Sequence, residues 1–237
     1  MFLRIVILLC LFDLSMIFSE NRYPLFRIHA LAALTTRRPI MRICFLGDSF
    51  VNGTGDDDCL GWTGRICSSA RRSGRDVTHY NLGVRRDTSA DILARWRQEA
   101  ERRLSPDLGG RLVFAFGGND CVADCAGGVR VARDKALDNA HSILSEASKW
   151  LPTLMIGPAP VSFDAAADDR IAALSEEFGR VCASIGTPYL PVFAALATSG
   201  IWSQEAARGD GTHPSGGGYA ELAAIISQWS AWTSWLC

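Results

Sequence analysis

The chain is expected to fold as an α/β protein, a parallel sheet wound on both faces by helices. Three observations carry this expectation. From Ile40 onward, short apolar runs alternate with longer amphipathic ones, the rhythm of strands and crossover helices. Three of the short runs end in glycine beside a polar residue: Gly47-Asp48-Ser49, Asn81-Leu82-Gly83 and Gly117-Gly118-Asn119-Asp120. The 237 residues, 48% hydrophobic and 21% charged, suit one domain whose core needs no disulfide staples.

The elements follow in order. Ile40–Leu46 reads as the first strand, and Leu60–Ser73 as a helix. Val77–Leu82 is a strand ending at Gly83. The next helix opens with Thr88 or Ser89 as N-cap and carries Ile92, Leu93, Trp96 and Ala100 on one face. Arg111–Phe116 is a strand running into Gly117-Gly118. Val131–Trp150 is helical, with Ala136, Leu137, Ala140, Ile143 and Leu144 on one face. Thr153–Ile156 is a short strand, Ile171–Ser184 a helix, Pro188–Val192 a short strand and Gly218–Trp235 the last helix. In a parallel sheet the three glycine-polar strand ends open on one rim, where ligands of such folds bind.

Composition excludes some classes. The net charge of -1 does not supply the basic face that nucleic acid needs. The 8 cysteines are scattered without a CxxC pair. Free thiols are therefore the default, with a Cys121–Cys125 bridge as the lesser reading. Asp56-Asp57-Asp58 lacks the spacing of a Ca²⁺ loop and reads as a solvated loop. The first 18 residues are apolar but interrupted by Arg4 and Asp13, short for a membrane span. They also read as a signal peptide that lacks a small-residue cleavage site close behind. The reading favoured is an extension over 1–40 that the fold over 41–237 does not need. That places the chain in the cytoplasm; if residues 1–19 act as a signal, it is exported. Membrane association through residues 1–18 is not favoured.

A fourth segment, Gly209–Ser215 ("GDGTHPS"), joins the three strand ends. Asp210 and His213 are three apart, which puts a carboxylate beside an imidazole on one turn of chain. A nucleophilic serine needs a base within hydrogen-bond reach, and that base needs a partner that fixes its tautomer. Ser49, His213 and Asp210 would fill these roles. Each signal alone is ordinary turn chemistry; the four together are not.

With these blocks the sequence resembles the SGNH (or GDSL) serine hydrolases, from Met41 to about Trp235. "GDSF" matches the first block, with Ser49 as nucleophile. Gly83 in "NLG" matches the second, whose backbone N–H helps hold the oxyanion. "GGND" matches the third, with Asn119 as a further oxyanion donor. "DGTHP" matches the last, with Asp210 and His213. One departure is visible: Arg86 stands where the second block often continues to a further glycine. The resemblance implies a three-layer α/β/α sandwich around a flavodoxin-like, five-stranded parallel sheet. It implies an esterase or lipase acting on a small-molecule ester through an acyl-enzyme on Ser49, with the N–H groups of Ser49 and Gly83 and the Asn119 amide as oxyanion donors. No metal or organic cofactor is implied. An acyltransferase with a sugar or alcohol acceptor is the alternative, as is a binding module without turnover.

Further residues read as follows. Trp229, Trp232 and Trp235 form a stripe on the last helix that is expected in the core. Trp202 is a candidate for lining the acyl pocket, or the anchor of a loop. Arg85 and Arg86 stand near the mouth of the site or form a solvated pair. His79 and His141 read as structural.

Overall fold

The computed structural model describes residues 40–236; the expectations for the N-terminal extension fall on residues outside these. The sheet comprises β1 (Ile40–Gly47), β2 (Asp76–Gly83), β3 (Gly110–Ala115), β4 (Thr153–Ile156) and β5 (Tyr189–Leu190). The strand order is β2-β1-β3-β4-β5, and every pairing is parallel. This is the flavodoxin-like order of a doubly wound sheet. The helices are α1 (Ser49–Asn52), α2 (Gly61–Arg72), α3 (Ser89–Glu101), α4 (Gly118–Cys121) and α5 (Arg133–Trp150). After these come α6 (Ala165–Ile185), α7 (Phe193–Ala197), α8 (Gly200–Arg208), α9 (Gly216–Gln228) and α10 (Ser230–Trp235).

β1 lies beside both β2 and β3, and Ile43 to Leu46 are fully buried. A strand covered on both faces reads as a continuous apolar run rather than an alternation, which is what "ICFL" is. Successive side chains point to opposite faces. Phe45 accordingly meets Trp62 of α2 edge-on at 5.5 Å, while Phe114 of β3, in register with Leu46, meets Trp96 of α3 at 5.6 Å. α2 packs against α9, and α3, α5 and α6 pack in a row. Truncating either tryptophan to alanine would cost about 3–5 kcal/mol, the range for large aromatics in a core.

Local signals explain where elements start. Thr88 caps α3 in a capping box with Asp91: the Thr88 N–H donates to Asp91 Oδ2 at 2.9 Å, and the Asp91 N–H to Thr88 Oγ1 at 3.4 Å. α6 begins six residues before the expected Ile171, because Asp164 accepts the Ala167 N–H at 3.0 Å and caps the helix there. The expected last helix is two. Trp229 is extended (φ -74, ψ 126), which ends α9 and redirects the chain into α10. The tryptophan stripe therefore does not lie on one helix: Trp232 is buried, and Trp229 and Trp235 are half-buried.

Asp56 is not part of a solvated loop. It is buried, is paired with Arg65, and accepts the Gly61 N–H at 2.8 Å and the Leu60 N–H at 3.2 Å. Cys44, Cys59, Cys67, Cys121, Cys125 and Cys182 are free thiols. No helix among the described residues is long and apolar enough to cross a membrane.

Candidate active site

The ends of β1, β2 and β3 lie side by side, Gly47 in register with both Gly83 and Ala115. Gly47 must be glycine here: a Cβ would stand 2.0 Å from the Ala115 carbonyl oxygen. Beyond it the chain turns into α1. Asp48 is the N-cap, its Oδ1 accepting the Phe50 N–H at 2.9 Å. Ser49 is thus the first residue of a short helix, where a backbone N–H has no intrahelical acceptor. The strand ends in glycine, carboxylate and hydroxyl for three reasons: close approach, capping and presentation of Ser49 at the rim.

His213 reaches Ser49 from the loop before α9. Its Nε2 lies 2.7 Å from Ser49 Oγ, and its Nδ1 lies 2.7 Å from Asp210 Oδ2. Asp210 Oδ1 accepts the backbone N–H groups of Thr212 at 3.0 Å and His213 at 2.9 Å, so the loop folds around the carboxylate. Burial works to raise the Asp210 carboxyl, but hydrogen bonds from the His213 backbone and ring and from Thr212 outweigh it and hold it at about 2. Asp210 is therefore an anion at any working pH. Phe50 packs against the His213 ring at 5.0 Å and limits its rotation.

Asn119 stands at the end of β3, on α4. Its Nδ2 donates to the Asp87 carbonyl at 2.9 Å and lies 3.5 Å from Asp48 Oδ2. The second contact is long for a hydrogen bond, so one amide hydrogen is only weakly held. The next residue, Asp120, ties α4 to the start of α3 by accepting the Ser89 N–H at 2.8 Å. Asp87 in turn pairs with Arg95 at 2.6 Å, and Arg95 donates to the Gly47 carbonyl at 3.0 Å. This network of Asp48, Asp87, Asp120 and Arg95 holds three strand ends in place. Burial pushes the Asp48 carboxyl up to about 7, eased by the Phe50 N–H and raised further by Asp120 and Asp87.

Two further expected site residues are placed as follows. Gly83 lies at the rim, and its N–H donates to Asn81 Oδ1 at 3.0 Å. Glycine is needed for packing, since a Cβ would stand 2.2 Å from the Asn52 nitrogen and 2.7 Å from the Asp48 carbonyl oxygen. Trp202 does not line a substrate cleft. It is fully buried, stacks on Phe50 at 5.7 Å, meets Tyr219 edge-on at 6.1 Å and lies behind the site. Arg86, which departs from the family pattern, has φ +72; the backbone keeps a glycine-type conformation with an arginine in it. Arg85 is exposed, 4.0 Å from Asp210 Oδ2. A polar cleft of about 660 Å³ opens beside the histidine, lined by Thr54, Asp57, Arg85, Arg208, Asp210 and His213 among others.

The fold and the serine–histidine–aspartate line together define a hydrolase-type site on a doubly wound sheet. Residues 45–221 match the model of the GDSL-like lipase/acylhydrolase family, and the chain belongs to that family. It is an ester-hydrolysing enzyme. No curated protein matches the chain. Among solved structures it is similar to the lipase/acylhydrolase from Enterococcus faecalis, with 25% identity and TM-score 0.59 over 79% of this chain and 93% of that one. It is also similar to LAE5, an alpha/beta hydrolase enzyme from the metagenome of Lake Arreo, Spain, with 18% identity and TM-score 0.65 over 84% and 98%. Axe2, an acetylxylan esterase from Geobacillus stearothermophilus, aligns with 15% identity and TM-score 0.64 over 80% and 93%. The catalytic mutants of Axe2 exchange a serine, an aspartate and a histidine.

Proposed function

We propose that the protein is a serine esterase working through an acyl-enzyme on Ser49. The observation that carries this reading is the continuous line from Ser49 Oγ through the His213 ring to Asp210, with both contacts at 2.7 Å. His213 Nε2 takes the Ser49 proton as Oγ bonds to the ester carbonyl carbon, and the carbonyl electron pair moves onto oxygen. Asp210, an anion, holds Nδ1–H and stabilises the imidazolium that forms. Collapse breaks the bond to the alkoxide, which leaves with the proton from Nε2. Water, deprotonated by the same nitrogen, then releases the acid and restores Ser49.

The oxyanion needs preorganised donors. The free Ser49 N–H and the weakly held hydrogen of Asn119 Nδ2 suit this role. Because the Gly83 N–H is engaged by Asn81, the third donor in this reading is the Arg86 N–H. It has no acceptor among the described residues and is next to Asp87, whose carbonyl holds Asn119. Gly83 keeps the rim compact instead.

The polar lining of the cleft at His213 favours soluble esters whose alcohol portion is polar over long-chain lipids. The fold likeness to an acetylxylan esterase makes acetylated xylan a fitting assay beside p-nitrophenyl esters.

The test is turnover of p-nitrophenyl acetate and p-nitrophenyl palmitate. The parent protein should prefer the acetate. Ser49→Ala and His213→Ala should each lose at least about 10⁴ in kcat, as members of one catalytic unit do, while keeping native circular dichroism. A folded Ser49→Ala protein with parental kcat contradicts the acyl-enzyme, and equal rates on the palmitate contradict the polar-substrate reading.

A further inference from the structure

The turn after β2 holds a conformation that its sequence does not favour. Val84 to Asp87 make a four-residue turn, closed by the Asp87 N–H donating to the Val84 carbonyl at 3.2 Å. Arg86, its third residue, has φ +72, at the position where such a turn takes glycine. A non-glycine residue stays in that region only where its surroundings over-determine it. The ends of the turn are fixed: the Val84 N–H donates to the Gly47 carbonyl at 3.0 Å, and Arg95 grips the Asp87 carboxylate at 2.6 Å. The middle is fixed by Arg130, whose Nη2 donates to the Arg86 carbonyl at 2.8 Å.

Arg130 comes from 44 positions further along the chain. It follows a small hairpin bridged between Ala123 and Val129, where Asp124 Oδ1 accepts the Ala126 and Gly128 N–H groups, each at 2.8 Å. The next residue, Val131, donates its N–H to the Asp120 carbonyl at 3.2 Å, which roots Arg130 against α4. That helix carries Asn119, and Asn119 Nδ2 donates to the Asp87 carbonyl at 2.9 Å. A ring therefore closes through α4, Arg130, Arg86 and Asp87 back to Asn119. Asp91 and Asp120 lie within electrostatic reach of the guanidinium. Among the described residues Arg130 nevertheless makes no ion pair, and its side-chain hydrogen bond goes to the Arg86 carbonyl.

We infer that Arg130 is a positioning residue for the oxyanion site: it clamps the Arg86 carbonyl and so fixes the turn whose Asp87 carbonyl aims the Asn119 amide. It touches no reacting atom and acts through that turn. The Arg86 N–H, in the same turn, is fixed with it. The inference rests on the acyl-enzyme reading of Ser49, with Asn119 as an oxyanion donor.

Steady-state kinetics of the full chain on p-nitrophenyl acetate test it, with Arg130→Met, Asn119→Ala and the double variant beside the parent. Arg130→Met keeps an unbranched apolar stem and removes the guanidinium. It should lower kcat about tenfold with KM within about twofold, because a catalytic group displaced by about 1 Å costs up to about a hundredfold and the ground-state carbonyl holds little charge. In the Asn119→Ala background the same substitution should cost about threefold or less, since residues coupled in one network are not additive. An equal loss in both backgrounds, a loss confined to KM, or a lower melting temperature with parental kcat would each overturn the positioning role. If Arg130→Met fails to fold, Arg130→Lys takes its place in the cycle. It keeps the charge near Asp91 and Asp120 but loses the planar fork, and a parental kcat there overturns the role. Ser49→Ala separates the two readings. An inactive Ser49→Ala beside a parental kcat in Arg130→Met rejects only the role of Arg130. A fully active Ser49→Ala rejects the acyl-enzyme and this inference with it.

Discussion

His213 Nε2 lies 2.7 Å from Ser49 Oγ, although 164 positions separate the two residues in the chain. The serine stands at the end of the first strand and the histidine in the loop before α9. The parallel sheet brings them together because every strand delivers its C-terminal end to the same rim. The hydrogen bond is thus a product of topology, and it makes the chemistry of the rim testable residue by residue.

Asn119 should act on the transition state more than on the bound ester. Its amide is held by the Asp87 carbonyl with one hydrogen only weakly engaged. Asn119→Ala should lower kcat by about 10²–10³, the range for losing one oxyanion donor, with KM changed much less. The lost bond to Asp87 should cost about 0.5–1.5 kcal/mol of stability. Steady-state kinetics beside thermal melting checks both; a kcat within a few-fold of the parent removes Asn119 from the donor set.

Asp48 should make stability depend on pH. Burial raises its carboxyl from an ordinary value of 3.8 to about 7. Between these values the folded chain keeps a proton that the unfolded chain has lost. The contribution is therefore fully present below about 3.8 and is lost as pH rises toward 7. Asp48→Asn retains an acceptor for the Phe50 N–H and cannot ionise. Its stability relative to the parent should grow from about pH 4 to 7, by on the order of 2–4 kcal/mol. Denaturant melts across that range measure it, and parallel curves for the two proteins would remove Asp48 as the titrating group.

Gly83 is argued to matter for packing. Gly83→Ala should cost about 1–3 kcal/mol through overpacking against Asn52 and Asp48. Activity should fall with it, because the displaced segment carries Ser49. An unchanged melting temperature would contradict the packing role.

A chain beginning at Met41 tests the domain boundary. It omits only Ile40 of β1, an exposed end residue. It should fold and hydrolyse esters as the full chain does. An insoluble product, or a melting temperature far below that of the full chain, would show that the fold needs residues 1–40.

Much of this site was legible in the sequence, for identifiable reasons. Asp210 and His213 sit on one turn, so their spacing alone implies contact. Ser49 and Asn119 follow apolar runs that could only be strands, so their shared rim follows from the alternation of elements. Other features depend on facts that spacing does not carry. Trp202 is eight residues before Asp210, but the Ser199 cap starts α8 and turns the indole inward. The Gly83 N–H is claimed by the side chain of Asn81, which the "NLG" run does not reveal. Asp56 reads like its neighbours Asp57 and Asp58 until Arg65, one helix later, folds back onto it. The break at Trp229 has neither glycine nor proline to mark it.

The central claim is that Ser49 carries the acyl group. Reaction with a fluorophosphonate probe followed by peptide mass spectrometry tests it most directly, because the probe bonds covalently to an activated serine. One adduct is expected, on Ser49, with no labelling in Ser49→Ala and strongly slowed labelling in His213→Ala. An adduct on another serine, together with a fully active Ser49→Ala protein, would contradict it.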